Sequence, residues 1–296
     1  MVGHEVLTGG DERSVRMDDL AGAKVLVTGA TDGLGRRVAF DLAAAGATVL
    51  LHGRSRERLE ATLEEAREES GSEKLGSYLA DLSSLGEVRA LAEQVIAEQD
   101  RLDVLINNAG VIEGERRESE DGYELTFAVN YLAHFLLTRL LVPLLRDSTP
   151  ARVVNVASVG QSPIDFDDVM LERGYDPMRA YTQSKLAQVM FTFELAERLR
   201  GSGVTVNALH PASLMDTRMV RETFGRSMST VEEGAEAAVR LAAAPELEGV
   251  TGRYFDGTRE GRANPQAYDE GARKRLWTLS EELSGRLLEP LRDGDG

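Results

Sequence analysis

Short runs that are apolar at nearly every position alternate along this chain with longer segments in which apolar residues recur at helical spacing. Lys24-Val25-Leu26-Val27-Thr28 is the first such run, and Thr48-Val49-Leu50-Leu51-His52 the second. Leu102 to Ile106, Val153 to Val156, Val204 to Leu209 and Gly252 to Phe255 read the same way. Near-continuous apolar runs are what strands buried on both faces require. Between them, Val38, Ala39, Leu42, Ala43 and Ala45 form one stripe of a helix, with Gly46 just past its end. Glu232 to Ala244 and Gln266 to Leu283 are further helical segments. Strand and helix in alternation predict an α/β protein with a doubly wound parallel sheet of about seven strands, right-handed crossovers and a C-terminal helical extension.

Two helical segments break the single-stripe rule. Tyr131 to Leu145 and Leu186 to Leu199 are apolar around most of their circumference, whereas a helix lying on one sheet face needs only one apolar stripe. The excess predicts a partner chain, hence a homodimer or homotetramer, unless the long C-terminal tail blocks that interface. Tyr131 to Leu145 is interrupted by His134, Thr138, Arg139 and Pro143 and reads as too short to cross a bilayer.

The first strand runs directly into TGATDGLG, Thr28 to Gly35, and from there into a helix. Strand, glycine turn and helix in that order suit a dinucleotide. Gly29 permits the tight turn, Gly33 lets backbone approach a pyrophosphate, and Gly35 lets the helix pack on the strand. Thr31, Asp32 and Leu34 complete the turn. The helix N-terminus offers amide donors and a positive dipole end to phosphate. After the second strand come Gly53-Arg54-Ser55, with no acid to take the adenosine ribose hydroxyls. Arg54 is a guanidinium able to clamp a 2′-phosphate, which predicts NADP(H). Two observations pull the other way: Arg54 also suits a solvated helix start, and Asp32 stands where many NADP users carry a basic residue.

Tyr181 and Lys185, in YTQSK, are four residues apart and share a helix face. A cation beside a phenol favours the phenolate and makes tyrosine usable as an acid or base near neutral pH. Further short motifs follow in order: Asp81 and Leu82 in LADL, Asn107-Asn108-Ala109-Gly110, Asn130 in FAVNYLAHF, Ser158 in VVNVAS, and His210-Pro211 with Thr217. With these, the chain resembles the short-chain dehydrogenase/reductase family over roughly residues 22 to 285. The wording LHGRS, NYLAHFLLTRLLVPLL and KRLWTLSEELSG resembles its retinol-dehydrogenase-like, NADP(H)-dependent group. The resemblance implies a single-domain Rossmann fold and hydride transfer between NADP(H) and a carbonyl or alcohol. It implies that Tyr181 exchanges the proton, Ser158 holds the substrate oxygen, Lys185 lowers the phenol pKa and holds the ribose, and Asn130 helps hold a relay water. It places Asp81 and Leu82 by the adenine, Asn108, Ala109 and Gly110 along the cofactor, and Pro211 and Thr217 at the nicotinamide end. The expected substrate is a mainly apolar ketone or aldehyde, with reduction the expected direction.

Two departures from the family pattern stand out. Some two dozen residues separate Ser158 from Tyr181, including Asp165, Asp167, Asp168 and Asp176, and read as an inserted loop beside the substrate. Ala212 follows Pro211 where the family has glycine, so a positive φ there would be strained. These leave open a non-catalytic NADP-sensing scaffold, or an epimerase or dehydratase on the same fold.

At 296 residues the chain fits one domain, 21–296, behind a polar arm, 1–20. Its substrate-side loops fall at about 157–180 and 211–230, and its tail at about 260–296. Met215, Met219, Phe224 and Met228 suit a flexible lid, or an ordinary connecting helix. A formal charge of −16 argues against nucleic acid as a partner and against acidic membranes, although Arg36, Arg37, Arg54, Arg56 and Arg58 concentrate positive charge near the glycine turn. There is no cysteine, residues 1 to 18 lack an apolar signal core, and the four histidines show no metal-ligand spacing. His134 and His210 read as satisfied core residues. A cytoplasmic enzyme without a metal is the expectation.

Overall fold

The computed structural model describes residues 20–285. The predicted arm, save Leu20, and the end of the tail lie outside them. Leu20 already packs into the core.

The first half runs β1 (Lys24–Val27), α1 (Gly33–Ala44), β2 (Thr48–Gly53), α2 (Arg56–Ser70), β3 (Leu75–Leu79), α3 (Leu85–Glu98) and β4 (Val104–Asn107). A short α4 (Leu125–Phe127) passes through a π-helical turn (Ala128–Leu132) into α5 (Ala133–Asp147). Then follow β5 (Ala151–Val156), α6 (Pro177–Arg198), β6 (Val204–His210), α7 (Arg218–Phe224), α8 (Val231–Ala243), β7 (Arg253–Asp256), β8 (Arg259–Glu260) and α9 (Glu270–Leu283).

The strands form one sheet in the order β3-β2-β1-β4-β5-β6-β7-β8. All neighbours are parallel except β7 and β8. Strand order reverses between β1 and β4, and the crevice at the C-terminal ends of those strands is where a doubly wound sheet takes its ligand. The sheet has eight strands rather than about seven. The extra one is a two-residue return after Gly257-Thr258, where Gly257 takes φ +58° and Asp256 pairs with Arg259. Asp-Gly is a tight-hairpin signal, but two residues are too few to show a period.

One core lies on each face of the sheet. α1, α2 and α8 cover one face and α3, α5, α6 and α9 the other. The excess apolar surface of α5 and α6 is covered by this chain itself, which corrects the expectation that it faces a partner. Trp277 of α9 sits edge-on to Phe135 of α5 at 5.1 Å and nearly parallel to Phe191 of α6 at 6.1 Å, centroid to centroid. Arg198 lies 4.1 Å above the Trp277 ring, and the Tyr131 hydroxyl meets Ser280 Oγ at 2.6 Å. The C-terminal segment thus takes the blocking place.

A second correction concerns length. Helical residues continue unbroken from Leu125 to Asp147, 23 in all, which is long and apolar enough to cross a membrane. Its most apolar stretch is 89% buried inside the protein, so burial, and not length, marks it as a core helix.

Candidate active site

A cavity of about 620 Å³ opens along the C-terminal ends of β1, β2, β4, β5 and β6. That is ample for a nucleotide and a small substrate. At its floor, the turn after β1 is built by absence of side chains. Gly29 has φ +66°, and a Cβ there would fall 2.9 Å from Ala109 Cα. A Cβ on Gly35 would fall 2.3 Å from both Gly29 O and Asn108 Nδ2. Gly33, at φ +49°, faces the Thr217 side chain across the cavity. At Gly29 and Gly35 no larger residue fits without moving backbone.

Hydrogen bonds lock the same turn to its neighbours. Thr28 Oγ1 accepts from the Asn108 and Ala109 amides at 2.8 and 3.0 Å, and Asn108 Nδ2 donates to Thr28 O at 2.9 Å. Two buried histidines complete the bracket. His52 accepts from the Gly29 amide through Nδ1 and donates from Nε2 to Ala80 O. His134 meets Thr28 Oγ1 through Nε2 and Asn130 O through Nδ1, at 3.1 and 3.0 Å. Burial pushes His52 down to about 4 and His134 down to about 3, so both are neutral at pH 7.

At the β2 end, Arg54 is exposed and has no ion-pair partner among the described residues. Arg58 donates to Thr31 O and pairs with Asp32 at 3.1 Å, and Arg218 of α7 reaches the same carboxylate at 3.4 Å. Asp32 is thus compensated by two guanidinium groups while it caps α1 at the Gly33 amide. Ser55 caps α2, and Asp81 accepts from the Ser83 amide. The cradle and the helix N-terminus fit a dinucleotide.

At the other end, α6 begins at an Asp176 cap with Pro177 in its first turn, which aims the next turns into the cavity. Tyr181 and Lys185 both line it, together with Ser158 from the end of β5. Lys185 Nζ lies 5.6 Å from the Tyr181 ring centroid. Burial pushes the Tyr181 phenol up and the Ser158 hydroxyl pulls it down. Burial alone brings Lys185 down to about 7. The Ser158 carbonyl is pinned by the Tyr254 hydroxyl and Gln161 Nε2, at 3.0 and 2.7 Å.

Every predicted cofactor residue borders this cavity, as do Ser158, Tyr181 and Lys185. Asn130 does not. Its side chain is fully buried: Oδ1 accepts from the Val111 amide, and Nδ2 donates to Val111 O and to Ser184 Oγ. The side chain is thus engaged with Val111 and Ser184, and the Asn130 carbonyl in the π-helical turn meets His134 Nδ1 at 3.0 Å. The acids of the loop before α6 do not line the cavity, and Asp167 pairs with Arg275 of α9. Asp168 accepts from the Glu172 and Arg173 amides, and Asp165 pairs with Arg179. The left-handed residue near Pro211 is Leu214, at φ +45°, and Ala212 escapes the expected strain. Met215, Met219 and Phe224 line the cavity, whereas Met228 is 70% exposed and does not.

The model of the short chain dehydrogenase family matches residues 23–227. The chain is a member of the short-chain dehydrogenase family. Retinol dehydrogenase 13 of Mus musculus is 42% identical over 295 residues, covering 94% of this chain and 88% of the relative. Retinol dehydrogenase 14 of Homo sapiens is 40% identical over 299 residues, covering 90% and 87%. Among solved structures, an uncharacterized protein from Mycobacterium paratuberculosis superposes with a TM-score of 0.74 at 33% identity, over 90% of this chain and 96% of that one. A short chain dehydrogenase from Shigella flexneri, complexed with NADP, gives 0.67 at 28% identity, over 81% and 99%. This short-chain dehydrogenase is therefore an oxidoreductase of the retinol-dehydrogenase-like group, acting on an alcohol or carbonyl of a small molecule with a nicotinamide cofactor.

Sequence reasoning missed several residues of the site. Arg58 was legible as part of the positive cluster near the glycine turn, but its pairing with Asp32, 26 positions earlier, was not. His134 is the satisfied core histidine expected, whereas His52 gave no signal beyond being a lone histidine, since its partners Gly29 and Ala80 follow other strands.

Proposed function

We propose that this enzyme interconverts an apolar ketone or aldehyde and its alcohol with NADP(H), Tyr181 exchanging the proton. The observation that carries the reading is the shared cavity: Tyr181, Lys185 and Ser158 at one end, Arg54 and Arg58 at the other. The bound nicotinamide would supply or accept the hydride at the substrate carbon. In reduction the Tyr181 hydroxyl gives its proton to the substrate oxygen, and Ser158 donates a hydrogen bond to the negative charge growing there. Lys185 sits beside the phenol, where its positive form stabilises the phenolate left behind. Asn130 acts from behind, holding Val111 at the cavity wall and Ser184 on α6.

NADP(H) over NAD(H) is supported by the unpaired Arg54, the nearby Arg58 and the neutralised charge of Asp32. An apolar substrate is supported by Ile112, Val159, Met178, Leu214 and Phe224 at the mouth. Val159 is 59% exposed there. A homodimer or homotetramer is supported by the habit of the family and would use surfaces other than the α9-covered face. A cytoplasmic location and independence of membranes are supported by the acidic surface and the burial of helix 125–147.

The test follows NADPH and NADH oxidation over decanal, all-trans-retinaldehyde and small ketones. Tyr181→Phe is expected to abolish turnover while NADPH binding stays close to wild type, and Arg54→Glu to remove the preference for NADPH. Turnover kept by Tyr181→Phe refutes the proton role, and an unchanged cofactor preference in Arg54→Glu refutes the NADP(H) assignment.

A further inference from the structure

The environment of Lys185 contains one neighbour that the family motifs do not include. Lys185 is 4% exposed, and its ammonium donates to Val156 O at 2.8 Å and to Gln188 Oε1 at 2.9 Å. Gln188 stands one turn along α6 and is 1% exposed. Its backbone carbonyl accepts from Thr192 Oγ1, and its amide nitrogen lies 3.5 Å from His134 Nδ1. The amide is therefore enclosed, with its oxygen turned to the lysine. Among the described residues no carboxylate acts on Lys185. The titratable groups around it are Tyr181 on its own helix, His134 on α5 and His210 at the end of β6. Asp256 of β7 acts on His210. Both imidazoles are held neutral by burial, so neither adds a like charge beside the ammonium.

A buried cation with two neutral acceptors is an unusual arrangement. Buried charges are ordinarily paired, and an unpaired one neutralises itself by giving up its proton. Here the acceptor geometry is good and the compensating charge is missing. The lysine is thus held in place and left close to its titration point, which burial brings to about 7.

We infer that Gln188 is a positioning residue for the reaction: its Oε1 anchors the Lys185 ammonium beside Tyr181 and, being neutral, holds that proton without cancelling its charge. The inference rests on the reading of Tyr181 as proton donor. Tyr181 and Lys185 act as a coupled pair, so the first proton lost belongs to the pair. Adding a negative charge at position 188 raises the pH of that loss, and removing the acceptor lowers it. The two changes move in opposite directions, which a merely structural glutamine would not produce.

The chain has four lysines, at 24, 74, 185 and 274, so side-chain NMR of lysine-labelled protein resolves Lys185, assigned by its disappearance in Lys185→Ala. In the wild type its resonance is expected to titrate near neutrality. Gln188→Glu is expected to raise that midpoint by about one pH unit or more, and Gln188→Met to lower it by roughly half a unit to one unit. In the holoenzyme, the alkaline limb of the reduction rate with the fastest aldehyde tested should follow, up in Gln188→Glu and down in Gln188→Met. Gln188→Met should also lose about ten- to a hundredfold in kcat with little change in melting temperature. Midpoints that stay put in both variants, or that move the same way, overturn the inference. Should Gln188→Glu not fold, a Gln188→Met midpoint at or above wild type overturns it alone. Turnover retained by Tyr181→Phe removes the reading underneath and the catalytic role of Gln188 with it, whatever the lysine resonance does.

Discussion

The floor of the cavity and its lid are made in opposite ways. Below, the turn after β1 is pinned by Thr28, Asn108, His52 and His134, all with interior partners, and its glycines leave no room to relax. Above, α7 is seven residues long with no buried side chain. It hangs between the left-handed Leu214 and Gly225, and the Arg218 contact to Asp32 is an exposed ion pair. Exposed pairs of this kind contribute about 1 kcal/mol or less. The contrast teaches a division of labour. Chemistry and cofactor are referred to a rigid sheet, and substrate choice to an element drawn from the low-stability end of the fold.

The largest blow to the floor is Gly35→Val. Its side chain would meet Gly29 O and Asn108, and relief requires moving backbone. We expect a loss of about 3 kcal/mol or more and no measurable NADPH binding, read by thermal melting and cofactor fluorescence titration. Trp277→Ala comes next. It empties the stack between Phe135 and Phe191 behind the catalytic helix and should cost about 3–5 kcal/mol. It also bares the α5/α6 face, so light scattering should report more self-association than in wild type.

Acid is a third way to attack the floor. His52 and His134 titrate far below 6.5 in the folded chain, so the unfolded chain takes up protons first as pH falls. Their stabilisation is complete above about pH 6.5 and drains away from there toward pH 4. For His52, a fall from 6.5 to about 4 corresponds to roughly 3 kcal/mol. Carboxylates held low, such as Asp168, keep their contribution through the upper part of that window and lose it only as pH falls below about 4. Denaturant melts at stepped pH should show the decline, and His52→Gln should flatten it while lowering stability at neutral pH.

The smallest effects should fall on the lid. Leu214→Gly removes the left-handed strain, a matter of about 1 kcal/mol, and should leave the melting temperature within a few degrees. Phe224→Ala touches no core and should alter KM for long apolar aldehydes several-fold while kcat for small ones holds. Equal losses for both substrate sizes would erase the distinction between floor and lid.

Much of this was legible in the chain. Strands buried on both faces announce themselves by composition, as at Val25 to Val27 and Leu105 to Ile106. The glycine turn is readable because only one residue type fits it. Harder to read were features whose cause lies far along the chain. The covering of α5 by α9 depends on pairings such as Tyr131 with Ser280, 149 residues apart. Nothing in a local period announces the π-helical turn at Asn130, because one added residue there shifts the register without changing the apolar count. Position 188 is silent for the same reason: a glutamine on an apolar helix acquires meaning only once the lysine one turn earlier is seen to be buried without a counter-ion.

The two-residue return at Arg259–Glu260 has a consequence for the outside of the molecule. It occupies part of the hydrogen-bonding rim of β7, beside His210 and the catalytic mouth, and its Glu260 is paired with Arg253, a contact that insertion by a foreign strand would have to displace. The opposite margin, β3, has no such guard along Leu75–Leu79 among the described residues. Any templated addition of another chain to this sheet is thereby steered to the side farthest from the reacting atoms.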